Sequence, residues 1–133
     1  MPQYIDLTIP VSNKLKAVHF RQVKTVEKDG WNASVIETYS HAGTHMDAPV
    51  HFNVSPQTID EIPLERCMGT AWLADIRHVE PQMAIHVDDL GDLVTQISPG
   101  ESLIIRTGWS QYVYDRDKYR NQLPRISEEL ALW

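Results

Sequence analysis

Three of the six histidines fall within eleven residues, in the stretch His41-Ala42-Gly43-Thr44-His45-Met46-Asp47-Ala48-Pro49-Val50-His51-Phe52. Few segments leave a chain so little conformational choice. His41 and His45 stand at the spacing of one helix face, but Gly43 weakens a helix and Pro49 breaks one. The zincin helix also carries Glu directly after its first histidine, where this chain has Ala42. The stretch is therefore expected to be extended or looped. In an extended segment successive side chains point to opposite sides. His41, Gly43, His45, Asp47, Pro49 and His51 then share one side, and Ala42, Thr44, Met46, Ala48, Val50 and Phe52 the other. Every potential ligand lies on one side and the other is nearly all apolar, as a metal site set against a core requires.

Imidazole together with carboxylate suits Zn²⁺ or Mn²⁺, whereas Ca²⁺ and Mg²⁺ prefer shells of oxygen alone. Two histidines and one aspartate fill three positions and leave room for a water, the arrangement of a catalytic site. Such a water loses a proton near neutral pH and becomes a nucleophile. His51, whose ordinary pKa lies near working pH, is placed to take or deliver protons. The competing account is a polar loop with three unrelated histidines, and the ordered spacing speaks against it.

The stretch matches the pattern H-x-G-T-H-x-D-x-P-x-H in all seven fixed letters. It resembles the cyclase family of metal-dependent hydrolases, which includes bacterial kynurenine formamidases and isatin hydrolases. The resemblance implies that His41, His45 and Asp47 bind one metal ion, with Asp47 bridging to a second in a complete binuclear member. It also implies that His51 is the acid/base residue. The implied fold is α/β: a mixed sheet with flanking helices, of the swivelling β/β/α cyclase type, with an antiparallel hairpin leading into the metal-binding segment. A second similarity is Ile105-Arg106-Thr107-Gly108-Trp109, more structural than catalytic. Family members carry a Pro- and Trp-rich segment lining the substrate pocket, but Val11 to Phe20 has neither residue. Thr44 stands where many formamidases carry Ala, which leans toward the isatin-type branch. The resemblance runs over essentially the whole chain but only the earlier part of a typical member. A further His and Glu that complete the family's binuclear site have no counterpart here. Residues 1–133 are accordingly expected to form a single cyclase-like domain, incomplete at its C-terminal side.

With 133 residues the chain is of single-domain size, and 42% hydrophobic with 23% charged residues is ordinary globular composition. A formal charge of −6 argues against nucleic acid or an anionic membrane as the main partner. No apolar run reaches the length of a membrane-spanning helix and the start lacks a signal-peptide pattern, so a cytoplasmic location is expected. Cys67 is the only cysteine, which excludes an intrachain disulfide, and is expected to be a buried thiol.

Along the chain, Tyr4 to Ile9 reads as a first strand ended by Pro10. His19 and Phe20 begin the next strand rather than line a pocket. Phe20 to Glu27 and Ala33 to Tyr39 form a hairpin about an Asp29-Gly30 turn, with Trp31 packing at its end. Asn53 to Pro63 is a surface loop with Asp60 and Glu61 exposed. Gly69 to Ile76 and Ser102 to Thr107 are interior strands. Between them Asp88 caps a helix through Leu90, Leu93, Val94 and Ile97, and His78 and His86 are solvated. Arg106 makes a strand-end salt bridge. Asp115 to Asn121 is a short helix, and Ser127 caps a last one with Glu128 and Glu129 in its first turn. That element is unfinished at Trp133 and too short to be stable alone.

The function these readings imply is hydrolysis of an amide bond, cyclic amide or aryl formamide, in a small aromatic substrate. The competing class is a truncated, non-catalytic family member serving as an inert fold or as part of an assembly. Apolar Val50, Phe52, Leu130, Leu132 and Trp133 point to a homo-oligomer, most simply a two-fold dimer.

Overall fold

The β-prone runs flanking Asp29-Gly30 do pair as an antiparallel hairpin. In the computed structural model, which describes residues 5–133, β1 (Val18–Lys24) lies against β2 (Ala33–Thr38). His19 faces Glu37, Phe20 faces Ile36 and Arg21 faces Val35, with an irregularity between Gln22 and Lys24. The connection differs from the expected tight Asp-Gly turn. A single helical turn, α1 (Val26–Asp29), is closed by Gly30 at φ 80°, a conformation that suits glycine. Asp29 stabilises this longer loop by accepting from the Thr25 N–H at 3.0 Å and the Lys24 ammonium at 2.7 Å. Trp31 is 57% exposed, so it does not pack the hairpin end.

The expected first strand is not formed. Tyr4 lies outside the described residues, and residues 5–9 carry no strand. The Asp6 carboxylate accepts from both the backbone N–H and the hydroxyl of Thr8, a local turn that competes with strand pairing. The Ile9 N–H then goes to the Thr44 hydroxyl at 3.0 Å instead of to a ladder partner.

The chain forms two compact units, Met1–Ile62 and Pro63–Trp133. In the second, β3 (Ala71–Asp75) pairs in parallel with β5 (Ser102–Arg106), and β4 (Ala84–Ile85) in parallel with β6 (Arg125–Ile126). Parallel pairing needs a crossover, and residues between β3 and β5 supply it. Its expected α-helix is instead a 3₁₀ segment, Val87–Thr95, broken at Gly91 (φ 56°, ψ −132°). His86 rather than Asp88 occupies the N-cap position, with its backbone N–H donating to Asp89 at 2.7 Å. The core holds Ala74, Ile76, Ile85, Leu90 and Leu130, with Leu103 and Ile105 packed against it.

Two further elements follow their sequence signals. In α2 (Arg116–Asn121) the Asp115 carboxylate accepts from the Lys118 N–H, and in α3 (Glu128–Leu132) the Ser127 hydroxyl accepts from the Leu130 N–H. Leu130 is not apolar excess, however. It is 6% exposed, because the cap aims that turn of α3 at Ile76 and Ile85. Cys67 is exposed rather than buried, since it closes a surface 3₁₀ turn, Leu64–Cys67, in a run of exposed residues. Arg106 makes its strand-end salt bridge with Asp75 at 3.5 Å. Among the described residues, no helix is long and apolar enough to cross a membrane. The architecture is a mixed α/β fold with an antiparallel hairpin and parallel strand pairs.

Candidate metal centre

β2 ends at Thr38 and delivers the chain directly into His41. The Ala42 N–H bonds back to the Tyr39 carbonyl at 2.9 Å, starting a turn, and Gly43 follows at φ 72°. A β-carbon on Gly43 would meet Val11 and Leu15 at only ordinary contact distance, so its glycine requirement is conformational. From Pro49 to Phe52 the chain makes one 3₁₀ turn, with Pro49 in its first turn, where a proline's missing N–H does no harm. The segment is thus a turn, a short irregular stretch and a 3₁₀ turn, neither a helix nor a continuous strand. Its alternation is accordingly imperfect. Met46, Val50 and Phe52 are 53%, 41% and 76% exposed, so the apolar side does not rest on a core.

The polar side chains nevertheless converge. His41 Nδ1 lies 2.9 Å from Asp47 Oδ1 and 3.2 Å from His45 Nε2, and the latter is 3.6 Å from the same carboxylate oxygen. His51 joins from the 3₁₀ turn, its ring centroid 4.3 Å from that of His41. Donor atoms of His41, Asp47 and His51 all lie within 4.8 Å of one another. His41 and Asp47 are therefore common to two triads, one completed by His45 and the other by His51. All four residues named from the sequence come together.

The donor set fits a divalent cation. Bonds of about 2.0–2.2 Å in tetrahedral geometry separate adjacent donors by roughly 3.3–3.6 Å. Of the three separations, 3.6 Å lies at the top of that window while 3.2 and 2.9 Å fall below it, so a cation would draw the donors apart by a few tenths of an ångström. Two imidazoles and one carboxylate match the ligand preference of Zn²⁺ or Mn²⁺. The side chains of His41, His45 and Asp47 are 25%, 32% and 44% exposed, so ligand and solvent reach them directly.

Several surrounding contacts went unread in the sequence. The His45 Nδ1–H donates to the Gly43 carbonyl at 2.9 Å, which turns Nε2 toward the cluster. Tyr39 flanks His41 with centroids 5.2 Å apart, and Phe52 stands edge-on to His51 at 4.3 Å. Segment 9–15 reaches the bend through the Ile9–Thr44 hydrogen bond and the apolar contacts of Val11 and Leu15. The one available signal was Thr44, a polar residue on an otherwise apolar side. Asp60 and Glu61 remain outside the cluster, as the sequence suggested. They serve a 3₁₀ turn, where Thr58 donates through its hydroxyl to Asp60 and through its N–H to Glu61.

The family described as "Putative cyclase" (Cyclase) matches residues 5–133. The chain belongs to the cyclase family. Its fold is similar to that of an isatin hydrolase whose crystal structure contains the product analogue thioisatinate, at TM-score 0.74 and 20% identity, over 95% of this chain and 56% of that one. It is also 31% identical over 62 residues to the kynurenine formamidase of Salinibacter ruber (strain DSM 13855 / M31), a match covering 47% of this chain and 28% of that protein. The chain thus spans little more than half of one relative and matches under a third of the other.

Proposed function

We propose that this cyclase-family chain carries the metal centre of an amide hydrolase acting on a small aromatic substrate, either a cyclic amide or an aryl formamide. The convergence of His41, His45 and Asp47 on one point carries this reading. When bound, Zn²⁺ or Mn²⁺ supplies Lewis-acid polarisation of a carbonyl and lowers the pKa of water. His41 Nδ1, His45 Nε2 and Asp47 Oδ1 would hold the cation, and the carboxylate would offset part of its charge. His51, packed against His41, accepts a proton as water adds to the carbonyl carbon. It returns that proton to the nitrogen as the C–N bond breaks, leaving an amine and a carboxylic acid, which gives its remaining proton to solvent. Phe52 beside His51 and Tyr39 beside His41 offer aromatic faces next to the reacting groups.

The names of the similar proteins, an isatin hydrolase and a kynurenine formamidase, support amide hydrolysis and an aromatic substrate. A cytoplasmic setting and a homodimer belong to the same proposal. The second is supported by the apolar hairpin surface. The test loads the chain with Zn²⁺ or Mn²⁺ and follows hydrolysis of isatin and of an N-formyl arylamine. Metal-dependent turnover of either is expected. Stoichiometric metal binding without turnover of either substrate would establish the inert-fold alternative.

A further inference from the structure

We propose that Thr44 is a positioning residue for the ligand His45, acting by tying the bend at Gly43 to the backbone of Ile9. The inference rests on the reading of His45 as a metal ligand.

A ligating histidine binds through one ring nitrogen, and the partner of the other decides which one is free. Here Nδ1 of His45 faces the Gly43 carbonyl at 2.9 Å. A carbonyl only accepts, so Nδ1 carries the proton and Nε2 presents its lone pair to His41 and Asp47. The tautomer therefore depends on where the Gly43 carbonyl points. That direction depends in turn on Gly43 keeping its left-handed conformation, φ 72°, within a solvent-accessible loop.

Two contacts from one segment hold the bend. Thr44 Oγ1 accepts the Ile9 N–H at 3.0 Å across 35 residues of chain, giving partners to both groups. Val11 and Leu15 lie 3.5 and 3.7 Å from where a Gly43 β-carbon would stand, so apolar side chains border the bend at that point. Leu15 is itself 7% exposed, so this contact has a buried anchor. The apolar contact fixes the position of the bend. The hydrogen bond, being directional, fixes its rotation and with it the carbonyl of the adjoining Gly43.

Thr44→Val keeps the side-chain shape and removes the acceptor, while Thr44→Ser keeps the acceptor. The first measurement is the His45 tautomer at constant pH in the metal-free protein, by long-range ¹H–¹⁵N correlation. The wild type is expected to carry its proton on Nδ1, Thr44→Val to show a mixture, and Thr44→Ser to restore the wild-type pattern. The second is Zn²⁺ affinity by competition with a chromophoric chelator. Thr44→Val should bind about 10-fold more weakly, and Thr44→Ser within about twofold of wild type. A merely structural role would lower the unfolding midpoint of Thr44→Val while leaving the tautomer unchanged, and that result overturns the proposal. A wild-type His45 protonated on Nε2 overturns it too, whether or not the variants fold. If the wild type fails to bind Zn²⁺ or Mn²⁺, the metal-centre reading falls, and the tautomer comparison by itself decides what Thr44 does.

Discussion

His41 Nδ1 and Asp47 Oδ1 stand 2.9 Å apart, and this contact closes the loop that gathers the candidate ligands. A carboxylate only accepts, so the imidazole donates, and the pair is already paired at the spot a cation would occupy. A cation bound at Nδ1 requires that proton to sit on Nε2 instead, so metal binding and the His41–Asp47 hydrogen bond exclude one another.

The roles of the two outer histidines separate in mutants. His45→Ala removes one of the three closest donors, so bound metal and hydrolysis should be lost together. His51→Ala should leave metal stoichiometry unchanged while lowering turnover by about 10²–10⁴-fold. Metal analysis and kinetics on the same preparations distinguish them. Loss of metal in His51→Ala would reassign that residue as a ligand, a place its distance from His41 and Asp47 also permits.

Stability of the second unit should respond sharply at Ile76. Its side chain is 1% exposed among Ala74, Ile85, Leu90 and Leu130, and no larger core stands behind these five. Ile76→Ala is expected to cost about 2–5 kcal/mol, and Ile76→Val roughly 0.5–1.5 kcal/mol. Urea unfolding followed by tryptophan fluorescence measures both. Equal midpoints for the two variants would show that the site collapses around the missing atoms.

Glu101 gives the pH dependence a definite sign. Its carboxylate accepts from the Ser98 N–H at 2.9 Å and the Trp72 indole N–H at 2.8 Å, which hold it below its ordinary value of 4.5. A depressed folded value means the stabilisation is complete above 4.5 and is lost as pH falls through the lower folded value. The wild type should therefore lose more stability below pH 4.5 than Glu101→Gln does, with the Trp72 indole proton shifting in the same range. Parallel stability curves for the two proteins would remove Glu101 from this account.

What could be read in the sequence was whatever rests on local chemistry. Gly43 and Pro49 exclude a helix, so the stretch His41 to His51 was correctly placed outside one, and the run Asp115 to Asn121 and the Ser127 cap marked short helices that form. What failed depended on competition between partners. The Ile9 N–H prefers the Thr44 hydroxyl to a strand neighbour, and no periodicity announces such a choice. Gly91 breaks a run whose four apolar residues, Leu90, Leu93, Val94 and Ile97, stand at helical spacing, because its φ of 56° and ψ of −132° lie outside the helical region. Strict alternation through His41 to His51 picked out the side chains that converge, for an incomplete reason. A turn and a 3₁₀ segment gather them, while Met46, Val50 and Phe52 stay uncovered.

The last prediction concerns assembly. The hairpin of β1 and β2 leaves Phe20, Val23, Val35 and Ile36 between 39% and 56% exposed, and in residues 5–62 only Leu15 and Val18 are buried apolar side chains. A two-stranded hairpin is marginal without a covered face. A second copy meeting Phe20 and Ile36 across a two-fold axis would cover like with like, the self-complementary contact such symmetry requires. Sedimentation equilibrium should therefore give a dimer at tens of micromolar. Ile36→Asp, which places a charge in the middle of that face, should shift it to monomer with the hairpin's strand pairing intact. A wild-type monomer at those concentrations would reject self-association through this face.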